Sequence, residues 1–257
     1  MRNIVMYRLG IVYLRLERHR PRAYCPGSTR HAAGNDTKMP ELKSTEMYFP
    51  TLLWRFELAP DVRDKVNKRL MDLLTRLDPN LAALPPGSGR QTDPALHTLA
   101  EMEPLVAEIE NAVKLVLEFL DVVYERSRIT GCWANVNAVQ TQHREHVHPN
   151  NYLSGVYYVQ ADEGANSFSI DDPRPQRHMI KPRVSEFTPF NAAQFTLSVK
   201  PGDLLVFPAW LPHSVDFNRS KRVRISVSFN AMFENFAETM SAPEWSGTLK
   251  MTSFTKR

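Results

Sequence analysis

Gln142-His143-Arg144-Glu145-His146-Val147-His148-Pro149 is the stretch on which the reading of this chain turns. It holds three of the eight histidines and stands just ahead of a β-rich run, Leu153-Ser154-Gly155-Val156-Tyr157-Tyr158-Val159. On extended backbone, residues i and i+2 point to one face, so the imidazoles of His146 and His148 can address a single ion. A third candidate ligand, His213, lies in Gly202-Asp203-Leu204-Leu205-Val206-Phe207-Pro208-Ala209-Trp210-Leu211-Pro212-His213. There Gly202-Asp203 reads as a turn and residues 204–207 as a buried strand. Pro208 and Pro212 interrupt the pairing and leave His213 at a strand mouth. Two neighbouring histidines from one strand and one from a distant strand are the makings of a metal site.

Eleven residues beyond His213 comes Arg224, in Arg222-Val223-Arg224-Ile225-Ser226-Val227-Ser228-Phe229-Asn230. Alternation places Arg222, Arg224, Ser226 and Ser228 on one face and Val223, Ile225, Val227 and Phe229 on the other. Arginine on an inner face is costly without an anionic partner. An arginine fork beside a hydroxyl is a carboxylate receptor. A divalent metal held by imidazoles, with an Arg-Ser pair to anchor a chelating dicarboxylate, is the logic of a non-haem Fe(II) site with open coordination positions.

His146-Val-His148-Pro-Asn, Leu-Ser-Gly-Val-Tyr-Tyr-Val, Phe-Pro-Ala-Trp-Leu-Pro-His213 and Arg224-Ile-Ser-Val-Ser-Phe-Asn together resemble the putative 2-oxoglutarate/Fe(II) oxygenases of the double-stranded β-helix superfamily. Trp133-Ala-Asn135-Val-Asn137, Asp171-Asp172-Pro173-Arg174 and Phe49-Pro50-Thr51 add to the likeness, which runs in order over residues 47–233. The resemblance implies a jelly-roll core, Fe(II) and the co-substrates 2-oxoglutarate and O2. It also implies oxidation of an unactivated C–H bond, with succinate and CO2 as co-products. Carried onto this chain, it makes His146, His148 and His213 the metal ligands and Arg224 with Ser226 the 2-oxoglutarate anchor. Arg222 is the alternative anchor, and Asn135 and Tyr157 are further cofactor-binding candidates. The superfamily pattern is His-X-Asp/Glu…His, whereas this chain reads His146-X-His148…His213. The third ligand is therefore either His148 or a carboxylate from Glu145, Asp171 or Asp172.

The rest of the chain supplies the frame. Val62, Val66, Leu70, Leu73, Leu74 and Leu77 recur at helical spacing after Pro60-Asp61. Leu105, Ile109, Val113, Val116 and Leu120 do so after Pro104, a favoured first-turn residue. Strands are expected at 132–139, 153–159, 167–170, 194–199, 204–207 and 223–233, and a further one at 48–58. Helices followed by strands give an α+β class, a jelly-roll braced by N-terminal helices.

Composition narrows the field further. The 257 residues carry a net charge of +4, but residues 1–43 alone hold nine Lys or Arg against three acids, leaving the body at −2. The chain is accordingly divided into a basic, disordered segment 1–43 and a single domain 44–257. The first segment reads as a tail, or as sequence upstream of a start at Met39 or Met47. A near-neutral body gives no expectation of nucleic-acid binding. No apolar run reaches the roughly 20 residues of a membrane span. With only Cys25 and Cys132, a disulfide framework is excluded, and a reducing, cytoplasmic location is the default. A homodimer is compatible with all of this.

His143 and His178 read as solvated loop residues, and Cys132 as a buried, inert thiol. Asp171-Asp172-Pro173-Arg174 reads as a turn with an ion pair. The segment 173–191 reads as a lid whose Arg174, Arg177, Lys181 and Arg183 suit an acidic or peptide substrate. Otherwise the expected substrate is a small molecule, an amino acid or a peptide. Two other function classes stay open. One is a cupin-type three-His metalloenzyme without 2-oxoglutarate, although cupins place a Glu soon after His-X-His and this chain has Pro149-Asn150-Asn151-Tyr152. The other is a non-catalytic jelly-roll binding module.

Overall fold

The computed structural model describes residues 42–237 and 247–249. The chain divides into two units, Met1–Tyr48 and Phe49–Arg257. Of the first, residues 42–48 are described and carry no regular element; residues 1–41 of the expected N-terminal segment lie outside the described residues. All that follows concerns the second unit.

Its elements in chain order are β1 (Trp54–Glu57), α1 (Pro60–Leu77), β2 (Gly89–Gln91), α2 (Glu103–Phe119), β3 (Ser127–Asn137) and β4 (His143–His146). Then come β5 (Leu153–Gln160), β6 (Ser167–Asp171), β7 (Gln194–Ser198), β8 (Asp203–Pro208), β9 (His213–Val215), β10 (Arg224–Phe233) and the short α3 (Glu234–Ala237). The strands form two antiparallel sheets. The major sheet has the order β1-β8-β5-β10-β3-β2 and the minor sheet β4-β9-β6-β7. This is the double-stranded β-helix expected from the sequence, with the helices on one side.

Both helices form where the apolar period places them. Pro60 opens α1 with its ring preset for the first turn, Asp61 faces the positive end of the helix dipole and Arg76 the negative end. Val66, Leu70, Leu73 and Leu74 are its buried stripe. The stripe of α2 is Leu105, Val106, Ile109, Val113, Val116 and Leu117. Both stripes pack on the outer face of the major sheet, against Cys132, Ala134 and Val136 of β3, Tyr157 of β5, Leu204 and Val206 of β8, and Ile225, Val227 and Phe229 of β10. Each fully buried Leu or Phe in that layer contributes about 1.5–3 kcal/mol. The ring of Trp54 meets Phe119 edge-on at 5.9 Å and closes the β1 end.

Gly155 has a packing reason. A Cβ there would collide with the ring of Phe229 and the carbonyl of Leu205, so the phenyl group occupies the space a side chain would have taken. Gly202, in the turn before β8, has φ of +97°, the left-handed region that favours glycine.

Alternation then leaves the opposite residues of the same strands facing the space between the sheets. The register of β10 on β3 gives four rungs: Arg224 with Asn137, Ser226 with Asn135, Ser228 with Trp133, and Asn230 with Gly131. On its other side β10 places Ser226 beside Tyr158 and Ser228 beside Val156. A second, smaller apolar cluster of Val156, Phe168, Leu205, Phe207 and Leu211 fills the β8 side of this space.

Candidate metal centre

The histidine-rich stretch becomes two short structures. Residues 143–146 form β4 and pair antiparallel with β9, so that His146 and His213 are direct cross-strand partners. The strand ends at His146, and His148 is held two residues beyond it by its N–H, which donates to the carbonyl of Ala209 at 2.9 Å. Pro149 and Asn150, the latter with φ of 62°, then turn the chain into β5. Asparagine tolerates that conformation better than most side chains.

The outcome is that one ring nitrogen each from His146, His148 and His213 lies within 4.8 Å of the other two. The ring centroids are 4.3 Å apart for His146 and His213, and 5.1 Å apart for each pair involving His148. His146 Nδ1–H donates to the carbonyl of Arg144 at 2.7 Å, and His213 Nδ1–H to that of Leu211 at 2.9 Å. Tying Nδ1 in this way leaves the Nε2 lone pair for a metal and fixes the ring plane. The rings of Phe168 and Phe207 pack on His213 at 5.5 and 4.7 Å. Burial, followed by the neighbouring imidazoles, pushes His148 down to about 3. Burial also pushes His213 down to about 4, against the hydrogen bond to Leu211. Both rings are neutral at pH 7, the state in which an imidazole binds a metal.

The carboxylates that the sequence left open as ligands are engaged elsewhere. Glu145 accepts from Arg177 at 2.9 Å. Asp171 pairs with Arg177 at 3.2 Å and accepts from Gln194 at 3.2 Å. Asp172 takes both arms of Arg174, each at 2.8 Å, in the turn and ion pair expected there. These same bonds engage Arg174 and Arg177 of the segment expected as a lid.

About 730 Å³ of cavity opens beside the imidazoles. Arg224 reaches it from the major sheet with 2% of its surface exposed. Its guanidinium donates to Asn137 Oδ1 at 3.2 Å and, at 3.5 Å, to the carbonyl of Asp216. Among the described residues it forms no ion pair, and burial lowers its proton affinity. Asn137 Oδ1 also accepts from His143 Nε2–H at 3.0 Å. His143 thus lines the cavity from β4, partly buried and pushed down to about 4 mainly by burial and then by the Arg224 charge. It is not the solvated loop residue that its polar neighbours imply. Ser226 and Asn135 also line the cavity, with Asn135 Nδ2 donating to Ser228 at 3.1 Å.

Two expected cofactor contacts fall elsewhere. Tyr157 points away from the cavity into the helical layer, where its hydroxyl donates to Asn67 on α1 at 2.7 Å. The phenol that faces the cavity is its neighbour Tyr158, whose buried oxygen has no hydrogen-bond partner among the described residues. Arg222 precedes β10 in a turn knotted by Asn218 and Ser220, and both its arms hold Asp162 at 2.6 Å on the surface. The alternation of the strand does not extend back to it. Trp210 is likewise exposed. The side chain of His178 lies outside the described residues.

The three histidines, Arg224, Ser226 and Tyr158 all fall within one contiguous span of sequence. Residues 131–230 match the model of the family described as "Putative 2OG-Fe(II) oxygenase". This 2OG-Fe(II) oxygenase match bears out the family resemblance. The fold agrees with it. The carbocyclase SnoK of nogalamycin biosynthesis superposes with a TM-score of 0.52 at 13% identity, over 71% of this chain and 80% of that one. The epimerase SnoN of the same biosynthesis gives 0.51 at 13% identity, over 79% and 91%. HygX from Streptomyces hygroscopicus, with nickel and 2-oxoglutarate bound, gives 0.47 at 15% identity, over 72% and 84%. No curated protein matches the sequence of the chain.

Proposed function

We propose that this chain is a non-haem Fe(II)/2-oxoglutarate-dependent dioxygenase that hydroxylates an unactivated C–H bond of a small molecule, amino acid or peptide. The observation that carries the reading is Arg224, a buried guanidinium without a carboxylate partner among the described residues, opening into the same cavity as three imidazoles. A charge so placed is costly until an anion arrives. The 5-carboxylate of 2-oxoglutarate supplies one, and the orphaned hydroxyl of Tyr158 and that of Ser226 stand ready to donate to it. The likeness of the fold to the epimerase SnoN, solved in complex with Fe3+ and alpha ketoglutarate, is consistent with this.

His146, His148 and His213 would hold Fe(II) through one ring nitrogen each, at the wall of the cavity. Bound Fe(II) with 2-oxoglutarate supplies the oxidising power drawn from O2, with succinate and CO2 as co-products. The chain's own contribution is threefold. The Nδ1 bonds to Arg144 and Leu211 orient two of the rings. Asn137 orients the Arg224 fork, itself braced by His143. Val156, Phe168 and Phe207 keep water from the buried side of the site.

The test is the visible spectrum of the anaerobic protein with Fe(II) and 2-oxoglutarate. Chelation is expected to give a weak charge-transfer band, lost in His213→Ala and weakened in Arg224→Ala. Bound iron without a band would favour a three-His enzyme of the cupin type working without 2-oxoglutarate. A protein that binds no iron would be a jelly-roll binding module.

A further inference from the structure

On the side away from Arg224, the cavity continues along the last two rungs of the β10–β3 ladder, Ser228 with Trp133 and Asn230 with Gly131. Thr130 and Asn151 line the same end. In the whole described lining, Arg224 is the only carboxylate, ammonium or guanidinium side chain. A charged group entering this arm would give up its water for no counter-charge. What the arm offers instead is amide chemistry. Asn230 Oδ1 accepts from Ser154 at 2.7 Å, which leaves its Nδ2 as a donor. Asn135 Nδ2 donates to Ser228 at 3.1 Å, which leaves its Oδ1 as an acceptor. The two are four residues apart along the sheet, about 14 Å at the rise of an antiparallel strand. The indole of Trp133 lies between them, 5.9 Å from the ring of His148.

From this we infer that the substrate arm takes an uncharged, extended molecule bearing at least two amides: the carbonyl of one on Asn230, the N–H of another towards Asn135 about 14 Å along the sheet, and its flat groups over Trp133 beside the metal ligands. Amides spaced along a chain provide the acceptor, the donor and flat faces, whereas a hydroxyl has no flat face. The amides can be peptide bonds or carboxamides at the two ends of a linker. The inference rests on the oxygenase reading above and names its substrate class. Gly131 is the residue that keeps the arm open. A Cβ there would meet Trp133 at 3.5 Å and Asn230 at 4.0 Å, ordinary contacts, so a larger side chain can be borne by the strand and project into the arm.

The experiment measures binding by calorimetry to the full chain loaded with Zn(II), with and without 2-oxoglutarate. The probes are N-acetylated, C-amidated tetrapeptide pools of neutral, acidic and basic composition, a panel of neutral linear dicarboxamides, and a panel of neutral sugars. Neutral peptides or neutral linear dicarboxamides are expected to bind at least tenfold tighter than either charged pool, and which of the two binds identifies the source of the amides. Gly131→Leu is expected to lose this binding by tenfold or more, with the Fe(II)/2-oxoglutarate band intact. Asn230→Asp is expected to shift preference to the basic pool. Tighter binding of a charged pool, binding of sugars alone, or no amide binding would overturn the inference. Failure of the oxygenase reading shows separately, as absence of the band in the unaltered protein.

Discussion

Replacing Arg224 by Met separates two effects that ordinarily move together. The guanidinium is 2% exposed and has two long contacts, 3.2 Å to Asn137 and 3.5 Å to the Asp216 carbonyl. Methionine keeps the apolar stem and removes the fork. Two charge-assisted bonds to a carboxylate are together worth about 3–6 kcal/mol. At 1.4 kcal/mol per factor of ten, the affinity for 2-oxoglutarate then falls about 100- to 10,000-fold. The protein without co-substrate should respond in the opposite sense. An unpaired buried charge is removed, and Asn137 keeps His143 as its donor, so nothing is orphaned. Relief of about 0–2 kcal/mol leaves Tm unchanged or raises it by up to about 8 °C for a chain of this size. Titration of the Fe(II) band with 2-oxoglutarate and calorimetric melting of the apo protein read the two effects. If iron binds and the affinity moves less than tenfold, Arg224 is not the anchor. If the apo protein instead melts more than about 5 °C lower, the arginine is a structural group and the reasoning fails.

Further outcomes follow from single contacts. Tyr158→Phe should weaken 2-oxoglutarate by about tenfold, one hydrogen bond, whereas Tyr157→Phe should leave that affinity alone and cost about 1 kcal/mol of stability through its lost bond to Asn67; equal effects on affinity would refute the strand phase. His148→Asp should retain iron within about tenfold in a chelator competition, because the carboxylate is an equally good ligand type for this ion, while His213→Ala should lose it by more than a hundredfold; similar losses would place His148 outside the ligand set. Gly155→Ala should cost about 3 kcal/mol or more in a denaturant melt, since the new methyl meets Phe229 and the Leu205 carbonyl; a loss under 1 kcal/mol would show that the ring yields. Burial pushes the Cys132 thiol up to about 12, so in a Cys25→Ser background it should resist a thiol reagent at pH 8 until the protein is unfolded; prompt labelling of the native protein would contradict its burial.

How much of this was legible in the residues depended on contrast between faces. Arg224-Ile225-Ser226-Val227-Ser228-Phe229 alternates cleanly, and its reading places the cavity face and the core face correctly. Leu153 to Val159 is buried on both sides, so nothing in the run gives its phase, and the choice between Tyr157 and Tyr158 awaits the pairing with β10. Arg222 extends the same alternation on paper, but the strand begins two residues later, after a turn tied by Asn218. His143 sits among Gln142, Arg144 and Glu145 and looks solvated; pairing with Val215 across the minor sheet turns it inward. Strands of three or four residues, β2, β4 and β9, are too short for a period to show. The ion pair of Arg174 with Asp172 is local and readable in Asp171-Asp172-Pro173-Arg174, whereas Arg177 bridges Glu145 of β4 and Asp171 of β6, the two strands that flank β9, and leaves no local signal.

The slot at Gly155 that receives the Phe229 ring has a consequence for the chemistry. A strand displaced by one residue shows its neighbours the wrong side throughout. In β10 such a slip would push Arg224 and the serines into hydrocarbon and swing Ile225, Val227 and Phe229 towards the imidazoles. The phenyl ring in its notch acts as a detent against that motion, from the far side of the sheet. The alignment of the anchor with the histidines is thereby inherited from an aromatic ring that never meets a substrate, and the precision of the site is set in the oil.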